Sequence, residues 1–98
     1  MVIDNANTVR AAALAFEAQN GQFPNEVNEL QPFLPGGELL VNPYVGAATE
    51  PVDGAAALSG QIGYQPVYAQ SGSVHGYHIT GFGETEEIVH LFFDPAGP

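Results

Sequence analysis

The side chains in this sequence best suited to holding a metal ion or moving a proton are three histidines, His75, His78 and His90. Whether they act together depends on strand register, because a slip of one residue sends a side chain to the other face of a sheet. If the strands carrying His78 and His90 pair so that residue numbers sum to 168, the two rings sit opposite each other. A sum of 169 puts them on opposite faces. Val74-His75 falls in an expected turn and approaches neither. No HExxH run is present. The expectation is half-exposed strand and surface histidines, with no metal and no catalytic role.

Oxygen ligands are the next candidates. Glu84, Glu86 and Glu87, with Thr85, fall in an expected hairpin loop, and Glu50 and Asp53 in a long connector. Calcium needs about 6–8 oxygens around it. Neither set has EF-hand spacing, so both read as solvated turns. Ser71 and Ser73 flank a glycine beside His75, and Asp94 could complete a hydrolase-like trio. That trio lacks both a nucleophile elbow and an oxyanion-hole signal. Gly81-Phe82-Gly83 precedes no helix and is not a dinucleotide fingerprint. Its glycines instead permit a hairpin or a close approach by a helix. No cofactor and no enzymatic activity are expected.

The elements that position these groups follow from pattern. Val2, Ala6, Val9, Ala13 and Phe16 form one stripe of an alanine-rich helix, assigned to residues 4–20, and Val9, Ala13 and Phe16 are expected to bury against a sheet. Ile3, Ala11, Leu14 and Ala18 form a second stripe roughly opposite, with Arg10 and Glu17 between the two. Asn20-Gly21 supplies a left-handed C-cap, and Pro24 stops the helix from resuming. The apolar stripe begins at residue 2 with no clear cap before it, which reads as a helix that once continued upstream and was cut, with Met1 an added start.

Residues 21–59 form a connector. Asn25 is a plausible N-cap for a turn or two of helix carrying Val27, Leu30 and Leu34, broken by Pro32 and Pro35. From Gly36 to Ser59, turn residues dominate. A loop of this length is unusual in a compact domain and points to a functional or subunit-contacting segment. Over 60–93 the period changes to two. Three strands joined by short turns, one of them at Gln70 to Gly76, give an antiparallel meander. Pro66 suits an edge strand, and the last strand, apolar on both faces, is expected to lie centrally or be partly covered. A lone meander cannot bury its own apolar face, so the helix must cross it. The fold class is α+β, in one domain of 98 residues.

Eleven acidic residues against the single Arg10 give a formal net charge of −10, which disfavours nucleic acid and anionic membrane surfaces. No apolar run reaches the ~18 residues a bilayer span needs. Cysteine is absent, so a disulfide framework and a thiolate metal site are both excluded.

The order of elements, with Gln19-Asn20-Gly21-Gln22-Phe23-Pro24 closing the helix, Leu30-Gln31-Pro32-Phe33-Leu34-Pro35, Asn42-Pro43-Tyr44-Val45-Gly46, and Gly60-Gln61-Ile62-Gly63-Tyr64 opening the first strand, resembles the periplasmic domain of type IV pilins, most closely the major pseudopilins of type II secretion. The resemblance implies a non-enzymatic structural subunit of a bacterial pilus or secretion pseudopilus. It implies a periplasmic or extracellular filament, partnered by other subunits through the N-terminal helix. Ile3, Ala11, Leu14 and Ala18 are the expected subunit contacts, and an upstream apolar half-helix would anchor the precursor in the inner membrane. Two departures from that family stand out. There is no cysteine for a C-terminal disulfide loop, and Asp94-Pro95-Ala96-Gly97-Pro98 lacks the carboxylates of a calcium loop. A reading from another class is a soluble acidic binding module whose connector takes calcium or a cationic partner.

Overall fold

The computed structural model describes residues 1–93. Helix α1 runs Val2–Asn20, beginning two residues earlier than the pattern suggested. It ends at Gly21, whose φ of 77° lets its N–H reach back to the Glu17 carbonyl. The buried side of α1 comprises Val2, Ala6, Val9, Ala12 and Ala13. Phe16 departs from the expectation. It is only half-buried, and its ring meets Phe33 edge to face at 5.6 Å rather than the sheet. At 100° per residue, Ala12 and Phe16 lie toward the connector, and the connector covers that flank.

A single turn, α2 (Val27–Leu30), follows, then two 3-10 turns at Gln31–Phe33 and Pro35–Gly37, each opened by its proline. Asn25 does not cap α2. Its own N–H is bound by the Glu29 carboxylate at 2.6 Å, and the first N–H of the helix, at Val27, is bound by Asp53 Oδ1 at 2.9 Å. The cap is supplied from 26 residues away, which local pattern cannot reveal.

The connector is more ordered than its turn-rich sequence suggested. Strands β1 (Leu40–Val41) and β2 (Ala48–Glu50) pair antiparallel as a separate two-stranded sheet, and β3 (Val52–Asp53) joins the main sheet. The meander consists of β4 (Ile62–Tyr68), β5 (Val74–Phe82) and β6 (Glu87–Phe93). The main sheet is therefore four-stranded and mixed, in the order β3-β4-β5-β6 with β3 parallel to β4, not three-stranded and antiparallel. Because β3 spans only Gly63 and Tyr64 on β4, Pro66 still lies where β4 has no second partner. The turn before β5 is shorter than expected, so Val74 and His75 are strand residues.

Of the two placements expected for the last strand, β6 takes the partly covered one and not the central one, for it is an edge strand. Val89 and Leu91 pack on the core, whereas Ile88, Phe92 and Phe93 are exposed. An apolar pattern on both faces therefore did not mean cover on both sides.

The core lies between α1 and the inner face of the sheet. Val2, Ala6, Val9 and Ala13 join Ile62, Tyr64, Tyr77 and Ile79, closed at one end by Phe23, Val27, Leu30 and Leu34. Gly81 leaves room for Val2 in the first turn of α1. A Cβ there would run into Val89 and press on Val2, as the expected close approach of a helix requires.

Candidate functional site

Of the four residues expected to contact other subunits, Ala11 and Ala18 lie opposite the buried face of α1, and Ile3 and Leu14 lie on its flank beside the sheet. Ile3 is 49 % and Leu14 47 % exposed, and Ala11 and Ala18 are also exposed. About half of each of these two aliphatic side chains is left open to solvent. Each opens onto a shallow groove. Near the helix C-terminus a groove of about 420 Å³ runs from Leu14 and Glu17 past Phe23 to Tyr77 and Phe93. Near its N-terminus a second, of about 440 Å³, is lined by Met1, Ile3, Tyr44 and Ile88. The exposed stripe thus joins exposed apolar residues of β6 and of the β1–β2 turn. Among the described residues no helix is long and apolar enough to cross a membrane.

The carboxylates do different work from that expected of solvated turns. Glu50 is 1 % exposed. Its Oε1 accepts the Ile62 N–H at 2.8 Å, and its Oε2 accepts the Thr49 hydroxyl at 2.6 Å and the Asn42 amide at 3.4 Å. Asn42 is itself buried; its Nδ2 donates to the Ser59 carbonyl and its Oδ1 accepts the Tyr44 N–H at 2.8 Å. Gly60, at φ +78°, passes so close to the Asn42 side chain that any Cβ would collide with it. This polar knot pins the connector to the start of β4, and the sequence reading missed it. Asn42 had a local signal, since Asn before Pro favours an Asx turn. Glu50 had none, because its donors lie 8 to 12 residues away apart from the adjacent Thr49. With Glu50 buried and Asp53 capping α2, the connector carboxylates do not converge, while Glu84, Glu86 and Glu87 remain exposed. Among the described residues no group of three or more His, Asp or Glu is arranged to hold a metal ion.

The serine reading gains no support from geometry. The hydroxyls of Ser71 and Ser73 bond each other at 3.0 Å, and Asp94 lies outside the described residues. His75 sits on the helix-facing side of β5 and lines the groove near Leu14.

His78 and His90 follow a register that neither sum anticipated. Strands β5 and β6 pair with numbers summing to 170, so His78 faces Phe92 and His90 faces Thr80. An even sum leaves both rings on one face, as diagonal neighbours. His78 Nδ1 lies 2.8 Å from His90 Nε2.

Two tyrosines carry perturbed hydroxyls. Tyr64 is fully buried and donates to the Pro24 carbonyl at 2.6 Å; burial, with a smaller contribution from the Glu29 charge, pushes its pKa well above the ordinary range. Burial also raises that of Tyr77, partly offset by Arg10.

Compared with protein-family models, curated proteins and solved structures, the chain matches nothing.

Proposed function

We propose that this chain is the globular domain of a structural filament subunit of the pilin or pseudopilin type, not an enzyme. Its partners would be further subunits packed along α1, in a periplasmic or extracellular filament. The observation that carries this reading is the two-sided helix. One side of α1 is closed against the sheet, while the remainder leaves Ile3 and Leu14 about half exposed on the flank and the small Ala11 and Ala18 exposed opposite. Small side chains allow a neighbouring helix to approach closely, whereas a helix facing only water is ordinarily polar on its outer side. Further support comes from the order of elements and from the closing turns quoted above, which resemble that family. Membrane attachment would require an apolar segment upstream of α1. The net charge of −10 keeps nucleic acid out of the reading.

The test separates stability from assembly. In the isolated chain Leu14→Glu is expected to leave the melting temperature within a few degrees, because residue 14 is about half exposed and is not one of the buried core residues. In cells producing the whole subunit, the same change is expected to abolish filaments recovered by shearing. Unfolding of the isolated variant would make the outer stripe part of the core and remove the argument. Intact filaments built from the Leu14→Glu subunit would overturn the assignment of α1 as the contact surface.

A further inference from the structure

We propose that His78 and His90 form a two-imidazole surface site for a late first-row divalent metal ion, zinc(II) or copper(II). The site follows from the observed register. The diagonal places Nδ1 of His78 and Nε2 of His90 2.8 Å apart on the sheet face that points away from α1. The rings are held there by packing. Phe92, directly across from His78, stacks on it at 5.7 Å with planes 11° apart, and also lies 5.4 Å from the ring of His90. Two adjacent strands, each bonded to the other, fix the separation of the two backbones.

In the metal-free pair one nitrogen carries a proton and the other accepts it, since two N–H groups cannot face each other at this distance. A neutral imidazole can move its proton to its other nitrogen. When the donor ring does so, both facing nitrogens present lone pairs to the same space. A divalent ion then takes the place of the hydrogen bond, and the proton stays on the far nitrogen of the same ring, so both imidazoles bind as neutral ligands. Zn–N bonds of about 2.0–2.1 Å at angles between square and tetrahedral require nitrogens roughly 2.9–3.4 Å apart. The observed 2.8 Å lies just short of that range, and because a chelated ion sits off the line joining the two nitrogens, both rings must turn their lone pairs out of that line to reach it.

Donor chemistry selects the ion. Neutral imidazoles suit zinc, copper and nickel, and the usual order of divalent affinities puts copper(II) above zinc(II). Calcium, which demands oxygens, gains nothing from this pair. Water would fill the remaining positions, because His90 and Phe92 are exposed. The strongly negative chain raises the local concentration of any cation.

The decisive measurement is a zinc(II) titration of the whole chain, followed through the imidazole nitrogens by long-range proton–nitrogen NMR. His78 Nδ1 and His90 Nε2 are expected to shift together and saturate at one ion per chain, with His75 unmoved and calcium without effect. His78→Gln and His90→Gln should each weaken zinc binding at least about tenfold, and copper(II) should bind more tightly than zinc in the parent. A shift confined to one ring, an unsaturable response, or variants that retain parental affinity would each overturn the site. The wild-type spectra decide the matter even if a variant fails to fold.

Discussion

The Tyr64 hydroxyl donates to the carbonyl of Pro24 across 40 positions of sequence, at 2.6 Å and in a fully buried setting. This bond joins the central part of the sheet to the turn that ends α1. Tyr64→Phe would keep the ring in place but leave that carbonyl without its donor. A buried group stripped of its partner costs about 1–3 kcal/mol, so a drop of several degrees in melting temperature is expected. An unchanged melt would mean that the carbonyl finds another donor.

Alkaline pH should act through the same residue. Burial raises the folded-state pKa of Tyr64, and to a lesser degree that of Tyr77, above the unfolded value of about 10. A raised pKa means that the folded chain holds the proton more tightly than the unfolded one. The associated stability is complete below pH ~10 and is lost as pH climbs toward the folded pKa. Urea midpoints measured from pH 8 upward should stay level with respect to these groups and then fall above pH ~10. Tyr64→Phe should flatten that fall. An equally steep decline in the variant would assign the effect to other groups.

Glu50→Ala is expected to be among the most damaging single changes in the connector. It removes the acceptor for the Ile62 N–H and for the Thr49 hydroxyl, and it leaves Asn42 short of a partner. A loss of at least about 1–3 kcal/mol follows from the unsatisfied buried donors. Hydrogen exchange at the Ile62 amide should accelerate with it. Wild-type protection at that amide would show that β4 holds without the knot.

Phe16→Ala separates the observed packing from the stripe read off the sequence. A fully buried phenylalanine would cost about 3–5 kcal/mol on truncation, and a half-buried ring whose aromatic contact is Phe33 should cost roughly half that. Val9→Ala, at a fully buried position facing the sheet, should destabilise the chain by a comparable amount despite removing far fewer atoms. Denaturant midpoints of the two variants provide the comparison. A Phe16→Ala loss several times that of Val9→Ala would restore the ring to the core.

The sequence alone determined whatever depends on neighbours a few residues apart. The apolar stripe of Val2, Ala6, Val9 and Ala13, though not the Phe16 expected to complete it, the left-handed stop at Gly21, the proline breaks at Pro32 and Pro35, and the three alternating strands are local in this sense, and these are present. So is the exposed surface holding Ile3, Ala11, Leu14 and Ala18, since one helix on one sheet can hide only one of its faces. Tertiary structure decided the remainder. Which stretch of connector would become β3, whether β6 would be central or an edge, and where the cap of α2 would come from all depend on contacts made across long loops. The same holds for His78 and His90. Periodicity places each on a strand, but register decides how they meet, and the observed sum of 170 sets them as diagonal neighbours with nitrogens 2.8 Å apart. Register is set by the fit of whole faces against α1 and by irregularities such as the one at Gly81–Phe82, and no single residue encodes it.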